Sequence, residues 1–247
     1  MSKGKRIRFG ILTPSSNTAL EPLTQQIVSQ LPGVSVQFSR FRVLKISLDQ
    51  EGLKQFDNTP IIEAARLLAD TKVDVIGWSG TSSGWLGFET DEKLCQEITA
   101  ATGIPATTSV LGLNKLVKRL RITDLALLTP YTDDVQAAIV KNYGGLEVDC
   151  SIEKHLGKDD NASFGNIAEE VLDAGFWDLV GRGAKAVSVF CTDLKAAQLV
   201  DEWERKSGII VLDNVATVLW DMCVIARVDM TGIKGWGMLF KNGDLGK

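Results

Sequence analysis

Three short segments occur twice, in the same order, along this 247-residue chain, and no other feature restricts its fold as much. Ile11-Leu12-Thr13-Pro14-Ser15-Ser16 is echoed by Leu127-Leu128-Thr129-Pro130-Tyr131-Thr132; in each, an apolar run reaches Thr-Pro, and the proline, which has no N–H to give a ladder, stops the strand. Val75-Ile76-Gly77-Trp78-Ser79-Gly80-Thr81 is echoed by Ala186-Val187-Ser188-Val189-Phe190-Cys191-Thr192, which makes Gly80 and Cys191 equivalent strand ends. Gly103-Ile104-Pro105-Ala106 is echoed by Gly208-Ile209-Ile210-Val211. The offsets of 116, 111 and 105 positions describe two similar halves, the second shortened by deletions.

Within each half, apolar runs alternate with amphipathic stretches, the pattern of parallel βαβ units. Strands are expected at 8–13, 34–42, 73–78, 125–129, 186–190 and 209–212, and helices at 20–31, 53–70, 90–101, 108–120, 132–143, 166–181, 195–207 and 215–227. The class is α/β, with two similar Rossmann-like open parallel-sheet domains related by a pseudo-two-fold axis. Residues 1–120 form the first half and 121–213 the second, with 214–247 crossing back to complete the first. Open α/β sheets bind ligands outside the carboxyl ends of their strands, so the active site belongs between the halves.

Composition narrows the function. With 45% hydrophobic and 23% charged residues the chain can bury a large core, and a net charge of −4 with scattered basic residues argues against a nucleic-acid surface. The cluster Lys3, Lys5, Arg6 and Arg8 reads as a solvated N-terminus. Without a membrane-length apolar run or a signal-peptide core, the expected location is the cytoplasm, away from the membrane. Cys95, Cys150, Cys191 and Cys223 lie far apart and His155 is the single histidine, so no metal site is expected. There is no P-loop lysine and no spaced glycine fingerprint, so no nucleotide cofactor is expected either. A homo-oligomer stays open.

Gly80-Thr81-Ser82-Ser83-Gly84 follows a strand and offers hydroxyls and backbone N–H groups to a carboxylate, unless it is an ordinary hydroxyl-rich turn. Cys191 ends an apolar run immediately before Thr192 and Asp193, where a thiol would be partly open to the cleft and helix N-terminal amides would favour thiolate. The opposite half carries glycine at that position, which disfavours a two-thiol racemase and leaves a one-thiol reaction, with Cys191 as proton donor or nucleophile. Tyr131 and Asn17 either hydrogen-bond a substrate carboxylate or cap helices. His155 reads as a surface loop residue without a triad partner, and Trp85 as a core residue able to shape an apolar pocket.

These residues resemble the aspartate/glutamate racemase superfamily, in the branch holding arylmalonate decarboxylases and maleate cis-trans isomerases. Pro14-Ser15-Ser16-Asn17 is similar to the isomerase N-terminal motif, Leu128-Thr129-Pro130-Tyr131 to the segment supplying a substrate-binding tyrosine, and Asp160-Asn161 to the isomerase loop asparagine. Phe190-Cys191 falls where both groups place a second-half cysteine. Gly80 stands where the isomerases and racemases carry their first-half cysteine, and Gly80-Thr81-Ser82 is similar to the Gly-Thr-Ser of arylmalonate decarboxylase. The resemblance implies that Thr81, Ser82, Tyr131 and amides near Cys191 and Thr192 hold one carboxylate and an enediolate, which Cys191 protonates. A cofactor-independent decarboxylase of a substituted malonate is therefore expected. The alternatives are an isomerase or racemase-like enzyme of a small dicarboxylate, with Asn17 and Asn161 pointing that way, and a carboxylate-binding protein without turnover.

Overall fold

The computed structural model describes residues 6–46, 48 and 58–241. The first sheet contains β1 (Ile7–Pro14), β2 (Val34–Phe41), β3 (Val75–Trp78) and β4 (Ala106–Thr108) in the order β2-β1-β3-β4. The second contains β5 (Ala126–Thr129), β6 (Glu153–His155), β7 (Ala186–Val189) and β8 (Ile210–Asp213) in the order β6-β5-β7-β8. All pairings within both sheets are parallel. Strands β3, β5 and β7 are buried along their whole length, as expected of central strands covered on both faces.

The repeat in the sequence is a repeat in space. Just past β3, the Ser79 N–H donates to the Leu12 carbonyl at 3.1 Å; just past β7, the Phe190 N–H donates to the Leu128 carbonyl at 2.9 Å. These bonds fix Ser79 against Phe190, and hence Gly80 against Cys191, as equivalent positions in the two sheets.

The helices are α1 (Leu20–Val28), α2 (Asn58–Asp70), α3 (Ser83–Leu86), α4 (Glu89–Thr102), α5 (Ser109–Leu120), α6 (Asp133–Gly144), α7 (Asn161–Phe164), α8 (Glu169–Gly181), α9 (Val200–Ser207) and α10 (Asn214–Ala226). The expected helix at 53–70 is described from Asn58 onward, its first five residues lying outside the described residues. The helix expected over 20–31 stops at Val28, where the Ser29 hydroxyl bonds the Gln26 carbonyl. That expected over 195–207 divides into a 3₁₀ turn, Ala197–Leu199, and α9. Strands β4 and β6 and the short helices α3 and α7 were not foreseen.

Helix α10 leaves β8 and packs on the first sheet. Asp213 starts it by accepting the Val215 and Ala216 N–H groups at 2.8 and 3.3 Å. Its Asp221 carboxylate accepts from Thr107 and, at 2.5 Å, from Lys115, while the Thr217 hydroxyl donates to the Ser109 carbonyl at 2.9 Å. Two glycines permit the approach: a Cβ on Gly77 would stand 2.6 Å from the Met222 sulfur, and one on Gly112 would stand 2.5 Å from the Thr217 carbonyl oxygen. Among the described residues no helix is long and apolar enough to cross a membrane.

Candidate active site

The carboxyl ends of β3, β5 and β7 deliver Gly80, Tyr131 and Cys191 to one pocket between the sheets, and Thr81, Ser82, Asn161 and Thr192 line it with them. Seven of the eight residues singled out in the sequence thus converge. Asn17 does not line it. Its amide oxygen accepts the Ala19 and Leu20 N–H groups at 3.0 and 2.9 Å at the start of α1, and its Nδ2 donates to Thr192 Oγ1 at 3.2 Å. The capping alternative describes what its side chain does.

Thr192 passes this tie onward by donating from Oγ1 to the Ser79 carbonyl at 3.0 Å, which leaves its backbone, rather than its hydroxyl, for a ligand. Asn161, at the start of α7, donates to Ser16 Oγ at 2.8 Å, and Ser16 donates to the Val43 carbonyl at 2.6 Å. The Asn161 N–H also bonds the Leu44 carbonyl at 3.1 Å, so the segment carrying Val43 and Ile46 is held over the pocket by the second half of the chain.

Tyr131 is fully enclosed, with Trp85 and Phe164 edge-on at ring-centroid distances of 5.2 and 5.8 Å. Its hydroxyl meets Thr81 Oγ1 at 2.6 Å and lies beside the Cys191 thiol. Burial, and then the neighbouring cysteine, hold this phenol well above its ordinary range, so it stays protonated and can donate.

Cys191 departs from expectation. Only 3% of its surface is exposed, and burial first, then the charge of Asp193, push the thiol up to about 12, despite bonds from the Asp193 and Leu194 N–H groups that work the other way. The Asp193 N–H to Sγ distance is 3.4 Å, so an amide does approach the sulfur, but this bond and those with Tyr131 and the Leu194 N–H do not offset removal from water. The group is a neutral thiol, not an activated thiolate. Cys95, Cys150 and Cys223 are also pushed up to about 12, chiefly by burial, and none of them is among the described residues lining the pocket.

The position equivalent to Cys191 is filled differently. A Cβ built on Gly80 would lie 2.1 Å from Trp78 Cζ2 and 2.4 Å from Cε2, so the Trp78 indole occupies the space a side chain at residue 80 would need. Phe41 backs that ring at 4.9 Å. The enclosed volume is about 20 Å³, room for about one water.

Two groups escaped the sequence reading. Asp193 is buried, and its Oδ1 accepts the Thr18 and Ala19 N–H groups at 2.9 and 3.1 Å, so the second half also caps α1; burial raises its carboxyl to about 6. Its place directly after Cys191 and Thr192 was the available signal. Trp78, inside an apolar strand, carries no signal of its own in the sequence, and the clash above Gly80 reveals its place in the pocket wall. His155 also needs correction: it lies in β6, with Nδ1 2.8 Å from Glu153 and Nε2 2.8 Å from Asp133, and these carboxylates raise its pKa.

Comparison with known proteins matches this geometry to a group of enzymes. The chain is 27% identical over 243 residues to a maleate isomerase of Nocardia farcinica, covering 95% of each chain. It is 24% identical over 190 residues to an arylmalonate decarboxylase of Bordetella bronchiseptica, covering 73% of this chain and 76% of that one. Its fold superposes with a TM-score of 0.86, at 22% identity and covering 95% of this chain and 98% of the other, on a Nocardia farcinica maleate cis-trans isomerase mutant with a covalently bound succinylcysteine intermediate. The arylmalonate decarboxylase family model matches residues 26–240, and the chain belongs to that family.

Proposed function

We propose that this protein is a cofactor-independent decarboxylase of a substituted malonate or a similar small carboxylate, with Cys191 as the proton donor. The observation that supports it most is the asymmetry of the two strand ends: one neutral, buried thiol at Cys191 and, at the equivalent Gly80, an indole where a second reactive side chain would stand. Thr81, Ser82 and Tyr131 hold the carboxylate that is kept, while Val43, Ile46 and Trp85 surround the one that leaves with apolar surface. The bond between the α-carbon and the departing carboxylate breaks, CO₂ leaves, and its electron pair passes into an enediolate stabilised by the hydroxyl donors. The thiol proton of Cys191 then moves to the α-carbon, and solvent reprotonates the sulfur. A thiol at about 12 is protonated throughout the neutral range, as a donor must be.

A second reading, cis-trans isomerisation of a small dicarboxylate, draws support from the Nocardia relative, whose match is the longer of the two. It asks Cys191 to act as a thiolate nucleophile, the form its surroundings oppose.

Proton NMR in D₂O, with substituted malonates, maleate and aspartate, separates the readings. Loss of one malonate carboxylate with a single deuterium incorporated, abolished in Cys191→Ser, is the expected result. Fumarate from maleate, or α-proton exchange without loss of carbon, refutes it.

A further inference from the structure

His155, the single histidine of the chain, stands at the root of the segment that reaches from the second half over the reactive pocket. Each of its ring nitrogens faces a carboxylate oxygen: Nδ1 lies 2.8 Å from Glu153 Oε2 on β6, and Nε2 lies 2.8 Å from Asp133 Oδ1 in the first turn of α6. A neutral imidazole has one N–H and would turn a lone pair toward one of these anions, whereas the imidazolium donates to both. Arg182, just past α8, donates to the Glu153 carbonyl at 2.8 Å and lies 3.4 Å from Asp178, so its cation is directed at a different carboxylate.

The residues that follow His155 tie three parts of the chain together. The N–H groups of Leu156, Gly157 and Lys158 donate to the carbonyls of Thr129, Tyr131 and Pro130 at 3.1, 2.9 and 2.8 Å. The Asp159 carbonyl then accepts the Ile46 N–H at 2.8 Å, Asp160 bridges Lys45, and the Asn161 N–H reaches the Leu44 carbonyl at 3.1 Å. Tyr131 and Asn161, and the Val43 and Ile46 of the segment they hold, all line the pocket.

We propose that His155 is a positioning residue for the pocket cover: its imidazolium joins β6 to the start of α6 and so keeps residues 156–161 in the register that seats Val43 and Ile46, and loss of its proton loosens that seat. The two carboxylates raise its pKa above the ordinary 6.5. The clamp is therefore complete below 6.5 and is lost as pH rises through the raised value. This inference does not rest on the decarboxylase reading, and its test needs no turnover.

Proton NMR of the untagged protein reads the group directly, because one histidine gives one Hε1 titration. Its midpoint lies above 6.5 in the wild type and falls in Asp133→Asn, a change at an exposed carboxylate. Hydrogen exchange followed by mass spectrometry, scaled for the pH dependence of free amides, then compares the wild type with His155→Gln and Asp133→Asn from about pH 5.5 to 9, either side of the ordinary histidine value. Below the midpoint, peptides covering 41–46 and 156–161 exchange about threefold to fivefold faster in both variants, the scale of a partly exposed ion pair. Above it the three proteins converge, and peptides from β3 and β7 stay unchanged at every pH. A wild-type midpoint at or below 6.5, variants that match the wild type throughout, or excess exchange that persists above the midpoint or spreads to β3 and β7 overturns the proposal.

Discussion

The thiol of Cys191 gives the sharpest test, because the protonation state that surrounds it decides what chemistry it can do. Alkylation by iodoacetamide proceeds through the thiolate. A cysteine at about 12 in place of the ordinary 9.0 holds about a thousandfold less thiolate at pH 7.5. Peptide-level mass spectrometry of the native protein should therefore show Cys191 reacting at least a thousandfold more slowly than an unfolded control, with a further delay from burial. The rate should climb about tenfold per pH unit and reach no plateau below pH 10. Asp193→Asn keeps an oxygen for the Thr18 and Ala19 N–H groups while removing the charge beside the sulfur, so it should accelerate alkylation at pH 7.5. The acceleration should shrink below about pH 6, where the carboxyl of Asp193 is itself protonated. A plateau near pH 7, or alkylation faster than the control, would refute the neutral-thiol argument and favour a nucleophilic cysteine.

Four further outcomes follow from geometry already given. Gly80→Ala should cost about 1–3 kcal/mol in urea denaturation and lose most of that cost in a Trp78→Ala background, because the Trp78 ring is what the new methyl meets; equal costs in both backgrounds refute it. Gly112→Ala should destabilise by about 1–3 kcal/mol despite alanine's better helix propensity, since the obstacle is the Thr217 backbone, and a stabilised variant would show that α5 and α10 can separate. Tyr131→Phe, which deletes the hydroxyl that meets Thr81 at 2.6 Å, should lower decarboxylase kcat/KM about a hundredfold, and a loss under threefold removes Tyr131 from the mechanism. Burial raises Asp91 and Asp193 to about 6 and Asp213 to about 7 from 3.8, so the folded chain keeps protons the unfolded chain has released; stability is fullest below 3.8 and falls as pH rises through 6 and 7. Urea midpoints should show the protein roughly 3 kcal/mol more stable at pH 5.5 than at pH 8, and the opposite slope would contradict those burials.

The two-sheet architecture was legible because its punctuation is local. Thr13-Pro14 and Thr129-Pro130 end β1 and β5, and the Gly80 and Cys191 positions follow from counting along two short repeats. The convergence of Thr81, Ser82, Tyr131 and Thr192 followed from that register. What escaped depends on distant chain. Glu153–His155 is too short and polar to announce a strand, and His155 gains Asp133 from 22 positions away. The thiol's position was readable at Cys191, but its burial and its contact with Tyr131, a ring itself packed by Trp85 and Phe164, depend on chain that no spacing brings together. Asn17 carries a motif residue's identity, yet the 175 positions between it and Thr192 hide the partner that occupies its amide.

The placement of α10 sets the order in which this protein can mature on the ribosome. The groove over Gly77 and Gly112 receives Met222, Val218 and Thr217, residues made about a hundred positions after Gly112. At roughly 5–20 residues per second, that groove waits on the order of 5–20 s for the segment that covers it. The first sheet therefore cannot finish folding during its own synthesis. It keeps an apolar trough uncovered until the second sheet has emerged, and transiently exposed apolar surface of that kind is where nascent chains aggregate.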